Sequence, residues 1–479
     1  ILNSTGASRT DLPYVSNVTD SSFTVNGSSS FVNENTKSHV AYIFAHNDSD
    51  GEFGPDGDQD IIKCGSYTGN GAFAGPVIDL EFEPQWLLIK NTSAATRAGQ
   101  DSNWYIFDTM RGLISNSSST NIAQPTLFAN KSSAESTNMD ANPAAYALGV
   151  SSTGFQITHD YEGINYNGDT YIYIAIRRGP LAPPETATEV FDISDRKNEI
   201  PSFPSGFPVD FLIGPRTING ADNNEVKTRL ISGGYLRTNT TGAENASSQV
   251  ANFAHNDGFF NSSGANANQY SWMWKRAPNF FDVVAYTGNG SKQTIAHNLG
   301  VAPEMMWIKV RSTTQHWAVY HPDLPGSGKF ISLNNNWDGN NTNSNFWDGE
   351  TPTSTTFSVG ATGVNNNYVN GSPNTYIAYL FASLDGISKV GSVTQSGTTN
   401  VDCGFTSGAR FVLLKRTDAS GDWYIWDSER GIVSGNDPYL LLNSTAAQVA
   451  VQDYINPLPS GFTITSNFDF GNYVFYAIA

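Results

Sequence analysis

Apolar and polar positions alternate along most of this chain, and the same alternating segments return in the same order. One segment pairs aromatic with β-branched residues: Tyr171-Ile172-Tyr173-Ile174-Ala175-Ile176. It recurs as Tyr270-Ser271-Trp272-Met273-Trp274, as Tyr376-Ile377-Ala378-Tyr379-Leu380-Phe381 and as Tyr473-Val474-Phe475-Tyr476-Ala477-Ile478. A fifth copy lies early, at His39-Val40-Ala41-Tyr42-Ile43-Phe44. Period-two alternation of such residues predicts strands with one buried face. Turn formers precede several copies, as in Asn167-Gly168-Asp169 and Asn370-Gly371-Ser372, and would feed the strand.

Three more signatures keep a fixed order ahead of that closing strand. Gly154-Phe155-Gln156-Ile157 matches Gly258-Phe259-Phe260, Phe357-Ser358-Val359, Gly461-Phe462-Thr463-Ile464 and, early, Phe23-Thr24-Val25. Pro84-Gln85-Trp86-Leu87-Leu88-Ile89-Lys90 matches Pro303-Glu304-Met305-Met306-Trp307-Ile308-Lys309, with weaker copies at Pro208–Ile213 and Arg410–Lys415. Its near-continuous apolar run predicts a strand buried on both faces. Trp104-Tyr105-Ile106-Phe107-Asp108 with Arg111-Gly112 matches Trp423-Tyr424-Ile425-Trp426-Asp427 with Arg430-Gly431, and Trp317–His321 is a partial copy. Tyr67-Thr68-Gly69-Asn70-Gly71 and Tyr286-Thr287-Gly288-Asn289-Gly290 look like hairpin turns.

The ordered repeat sets the units. Residues 1–48 hold the closing strands of an incomplete unit and the start of an acidic linker. Whole units run over 61–180, 188–277, 281–384 and 386–479. The unit at 188–277 is divergent: it lacks the Trp-Tyr-Ile strand and the Lys after the apolar run. Short strands at even spacing predict an all-β chain of tandem β-sandwich units, jelly-roll or concanavalin-lectin-like. Short, proline-bearing links such as Arg177-Arg178-Gly179-Pro180 predict a semi-rigid rod. Residues 1–48 would need sheet partners from elsewhere.

Composition narrows the function classes. Of 479 residues only 15% are charged and 12% are aromatic, with 44 glycines, a mix suited to strands and polar turns rather than to disorder. The net charge of −18 repels phosphate, which sets nucleic acid aside. No apolar run approaches a membrane span. Two cysteines, Cys64 and Cys403, exclude a disulfide framework and suit a protein folded in a reducing cytoplasm.

Taken together, these motifs resemble a repeat of virion proteins of tailed bacteriophages, marine and cyanobacterial phages among them. Tyr67–Gly71, Pro84–Lys90, Trp423–Asp427 and Thr375–Tyr379 carry the resemblance, which covers nearly the whole chain from about residue 20. It implies a tail fibre or other structural protein located in the virion and assembled in the bacterial cytoplasm. Other virion proteins, a host-surface glycan and further copies of the chain in a homotrimer would be its partners. It brings no catalytic residues.

The candidate chemistry is sparse. Asp108 and Asp427, each three residues before an arginine, could be a glycosidase carboxylate pair, but they fall in different units and suit turn-closing Asp–Arg pairs better. Asp56, Asp58 and Asp60 in the acidic link offer calcium ligands without EF-hand spacing. Trp337 and Trp347 stand in or beside an asparagine-rich stretch that breaks the repeat, and are the candidates for stacking on a glycan in a lectin-like alternative. Neither histidines nor glycine-rich turns show the spacing of a zinc site or a phosphate loop.

Overall fold

Within the four whole units the signatures become strands, and the strands of one unit form two packed antiparallel sheets. The structure is a computed structural model. It describes residues 14–26, 32–46, 53, 57, 59–93, 102–115, 124–136, 148–231, 234–246, 253–261, 268–324, 329–339, 346–360 and 366–479. In the unit at 61–180 the larger sheet orders its strands Ile62–Thr68, Thr170–Arg177, Pro84–Asn91, Trp104–Asp108 and Leu127–Phe128. The unit's closing strand thus lies between its opening strand and its central apolar strand. The same order recurs at 188–277 (Phe191–Asp195, Gln269–Trp274, Phe211–Thr217, Glu225–Thr228), at 281–384 (Phe281–Thr287, Thr375–Phe381, Met305–Val310, Ala318–Tyr320) and at 386–479 (Ser388–Gln395, Gly471–Ile478, Phe411–Arg416, Trp423–Asp427). These are called the first to fourth units below. The divergent second unit therefore keeps the fold. Because a unit opens and closes on neighbouring strands, the next begins where the last ends, which is why the links can be short.

The smaller sheet pairs the Gly-Phe signature with the segment after the opening strand: Gly154–Ile157 with Val77–Asp79, Gly258–Phe259 with Phe203–Pro204, Thr356–Val359 with Gln293–Ala296, and Gly461–Ile464 with Thr399–Asp402. The glycine has a steric cause. A Cβ there would stand 2.0 Å from the Ile78 carbonyl oxygen at Gly154, 2.4 Å from that of Phe203 at Gly258, and 2.2 Å from that of Val401 at Gly461.

The Gly-Asn-Gly segments differ from simple hairpins. They carry the chain from the larger sheet to the smaller one, and a buried asparagine clamps each. Asn165 Oδ1 accepts the Asn70 N–H and Asn370 Oδ1 that of Asn289, while their Nδ2 groups donate to the carbonyls of Ala72 and His159, and of Gly360 and Ser291. Among the described residues the only α-helix is the single turn Glu162–Asn165. No described helix is long and apolar enough to cross a membrane.

Two kinds of core result from the two faces of the larger sheets. The inner faces of the second, third and fourth units form separate cores, such as Met306, Ile308, Tyr376 and Ala378 in the third unit and Val412, Leu414, Phe475 and Ala477 in the fourth, whereas that of the first, with Leu87, Ile89 and Phe155, runs on into the shared cluster. The outer faces of the second, third and fourth units are also buried, in one continuous cluster that includes Phe211, Trp272, Trp307, Tyr379, Phe411 and Tyr476. This corrects the rod. The second unit touches the third and also the fourth, as Phe211 meets Tyr379 with ring centroids 4.7 Å apart, Phe381 meets Tyr476 at 5.0 Å, and Phe191 meets Phe411 at 5.4 Å. Three sheets with two apolar faces each bury the second face only by closing on one another.

The incomplete unit keeps part of its pattern. Val15–Ser16 pairs with Thr24–Val25, and Thr19 Oγ1 closes a turn on the Ser22 carbonyl as Thr353 does on Thr356. The fifth copy of the closing strand, His39–Phe44, joins no sheet. Its Val40, Tyr42 and Ile43 are exposed, since no described strand pairs with it.

Candidate functional site at the seam between units

The seam is built from side chains that the repeat places at the same position in each sheet. At the head of the strand beside the central one stands Trp317 in the third unit, one residue ahead of Ala318–Tyr320, and Trp423 in the fourth, both fully buried. Each points its indole N–H across the seam: Trp317 Nε1 donates to the Arg237 carbonyl of the second unit at 2.9 Å, and Trp423 Nε1 to the Ser332 carbonyl of the third at 2.9 Å. The second unit has Asn224 there. Its Nδ2 donates to the Leu441 and Leu442 carbonyls of the fourth unit at 3.0 and 2.9 Å.

The cation ending the central strand does the same work. Lys309 Nζ donates to the Thr241 carbonyl at 3.3 Å and Lys415 Nζ to the Trp337 carbonyl at 2.7 Å, while Arg216 replaces lysine in the second unit and reaches the Ala446 carbonyl at 2.5 Å. Backbone bonds repeat the cycle in both directions. Glu244 N–H donates to Arg311, Gly339 to Thr417 and Gln448 to Ile218, each at 2.8 Å. Gln315 donates back to Thr241, Gly421 to Asn336 and Asp222 to Thr445. Third grips second, fourth grips third, and second grips fourth: a heterologous contact that closes after three units.

Burial tunes the seam electrostatically. It lowers the Lys309 ammonium to about 7, and it lowers Lys415 to about 8 against the opposing carboxylates of Asp422 and Asp338. Arg311 pairs with Glu244 across the second and third units at 2.6 Å, and Arg410 with Asp192 across the fourth and second at 3.0 Å. Where the first unit meets the second and third, Arg276 holds Glu83 at 2.8 Å and Arg178 holds Asp282 at 3.3 Å. Burial raises the Asp210 carboxyl there, but Arg276, Arg229 and Arg178 outweigh it and hold the group below its usual range. Removing one member of such a buried pair strands its partner. The first unit docks by its edge: Ser115 Oγ donates to the Leu230 carbonyl at 2.8 Å, and Arg311 Nη1 to Ser115 Oγ at 3.2 Å.

The sequence candidates fall as follows. Asp108 and Asp427 both close turns, accepting the N–H of Arg111 and of Arg430 at 2.9 Å and pairing with each guanidinium. They sit in separate units. Asp427 is fully buried and also accepts the Trp272 indole N–H at 2.9 Å. Trp347, 3% exposed, is packed between Tyr320 and Phe346 with Nε1 on the Lys329 carbonyl at 3.0 Å, which leaves no ring face for a sugar. Trp337 is half-buried in the seam against His316, with ring centroids 4.7 Å apart. Asp56 and Asp58 lie outside the described residues, and Asp60 is buried. No group of three or more metal-ligating side chains occurs among the described residues. Cys64 and Cys403 form no disulfide. The sequence marks Trp104, Trp423 and the Lys after the apolar run as repeated. A cation recurring at the end of a strand buried on both faces was the available sign that carbonyls of a neighbouring unit oppose it.

A repeat protein whose shared side chains tie its units into a closed ring is the class that this geometry defines. The chain belongs to the DUF7483 family, a domain of unknown function, which matches residues 1–180 and again residues 205–479. The second matched stretch holds the ring of three units, less the start of the second. No curated protein matches the chain.

Proposed function

We propose that the protein is a phage virion structural protein, a fibre or surface appendage that serves assembly and host-surface adhesion without catalysis. The observation that carries this reading is the closed seam. In the third and fourth units the repeated tryptophans and lysines, which an enzyme or a lectin would aim at a ligand, are spent on neighbouring units. The ring hides apolar faces that separate beads would expose, and its buried ion pairs fix one arrangement of units. Such a block suits a load-bearing appendage. The resemblance of the motifs to a repeat of tailed-phage virion proteins supports this reading.

Peptide mass spectrometry of purified particles from a phage that encodes this chain, with immunogold labelling, tests the reading. The chain should be present at a fixed copy number and label one appendage. Its absence from particles would refute the proposal. So would a polysaccharide-cleaving activity of the purified protein.

A further inference from the structure

A single carboxyl group pins the loop through which the fourth unit meets the second. Tyr439 and Val449 exchange backbone hydrogen bonds at 2.9 and 3.1 Å, and the Asp437 N–H donates to the Gln452 carbonyl at 2.8 Å. The segment 440–448 between these pairs reaches the second unit. There Asn224 and Thr238 donate to the Leu442 carbonyl and Arg216 to that of Ala446, while the Gln448 N–H donates to the Ile218 carbonyl. At the base of this hairpin, Asp437 Oδ1 accepts the N–H groups of Tyr454 and Ile455, both at 3.2 Å. Ile455 opens the strand Ile455–Leu458, which pairs with Gly461–Ile464 in the smaller sheet. Asp437 thus ties the hairpin that bears the ring-closing seam to the core of the fourth unit.

The other oxygen of that carboxyl group is in a different position. Asp437 is fully buried, and its Oδ2 makes no hydrogen bond. Between its contacts Gln452 and Tyr454 stands a second acid, Asp453, whose Oδ1 is also buried without a hydrogen bond. The titratable groups that face Asp437 are Asp453 and Tyr454 on the returning segment. The strand Trp423–Asp427 presents the Trp426 indole N–H, which eases a charge there. A carboxylate oxygen buried without a donor is unfavourable, and a second carboxylate beside it makes it more so. A proton on Asp437 relieves both.

We propose that Asp437 and Asp453 form a proton-operated latch on the ring-closing seam: protonated, Asp437 fixes the hairpin 437–455 against the second unit, and ionised, it lets the hairpin loosen. Burial raises the Asp437 carboxyl to about 6, with Asp453 adding to the rise and the Ile455 and Tyr454 N–H groups and the Trp426 indole opposing it. The folded chain therefore holds this proton more tightly than the unfolded chain. The stabilisation is full below the ordinary aspartate range and is lost as pH rises through about 6. The latch does not depend on placement in a virion.

Hydrogen exchange of the full chain at about pH 5 and about pH 7.5, read on peptides within 437–455 and divided by the intrinsic rate, tests the latch. Protection of these peptides should fall about tenfold between the two, the factor that a carboxyl titrating near 6 supplies. Asp437→Asn keeps an acceptor for Tyr454 and Ile455, carries no charge and offers an amide donor to Asp453. Its hairpin should be equally protected at both pH values. Asp453→Asn removes the like charge and should shrink the wild-type dependence. Wild-type protection that does not change with pH would overturn the proposal. So would an Asp437→Asn hairpin that keeps the wild-type dependence or is unprotected at both pH values, and so would an unchanged dependence in Asp453→Asn.

Discussion

Phe381→Ala probes whether the second, third and fourth units are one cooperative body. Phe381 is fully buried on the seam between the third and fourth units, with ring centroids 5.0 Å from Phe281 and 4.8 Å from Trp307 in its own sheet and 5.0 Å from Tyr476 of the fourth unit. Truncating a buried phenylalanine costs about 3–5 kcal/mol in lost transfer energy and cavity. A domain is stable by only about 5–15 kcal/mol, so the loss is a large share. Because the cavity opens on the seam, the loss falls on every unit that shares it. Native-state hydrogen exchange reads this directly, since protection reports the free energy of the cooperative opening. Slow amides should exchange roughly a hundred to several thousand times faster in the third unit's Thr375–Phe381, in Phe211–Thr217 of the second unit and in Phe411–Arg416 of the fourth. If Phe381→Ala accelerates exchange only in the third unit, the shared core is not a cooperative element and the reasoning fails.

Three further outcomes are expected. Burial lowers the His321 imidazole to about 4 despite nearby Asp323. The unfolded chain therefore takes up that proton first, and about 3 kcal/mol of stability present above the ordinary histidine range should be lost as pH falls from about 6.5 towards 4; denaturant melts of His321→Gln should show a flatter acid limb, and an identical limb would contradict the assignment. Gly461→Ala brings a Cβ against the Val401 carbonyl oxygen and should cost about 1–3 kcal/mol in chemical denaturation, whereas alanine at the half-buried Gly397, which has open space around its Cβ position, should cost under 1 kcal/mol. Trp347→Ala should cost about 3–5 kcal/mol in thermal melts while leaving glycan-array signals unchanged; a lost glycan signal with an intact melt would restore the lectin role.

The strands and the Asp–Arg turns were legible because they depend on local alternation and on short-range hydrogen bonds. Met305–Lys309 and Phe411–Lys415 read correctly as doubly buried strands, and in the first copy this holds from Leu87 to Lys90, with Trp86 half-buried. What covers their second face was not legible, because a period-two pattern marks a face as apolar without naming its partner. Trp423 looked like ordinary sandwich core, and it is core, but its N–H serves the third unit. The second unit looked divergent because Asn224 and Arg216 replace Trp and Lys, yet both still donate to carbonyls of the fourth unit. Chemical role survived where residue identity did not. Trp347 stood out because it breaks the repeat, and nothing in its neighbours' pattern showed that Tyr320 and Phe346 enclose it.

Ring closure makes its sharpest demand between the second and fourth units, which a rod would keep apart by a whole unit. Arg410 of the fourth reaches Asp192 of the second at 3.0 Å. Zero-length carbodiimide coupling of the Arg410→Lys protein, followed by peptide mass spectrometry of the monomeric fraction, measures that proximity. The closed ring predicts an intramolecular link between positions 192 and 410. Coupled peptides found only within units or between consecutive units would contradict it.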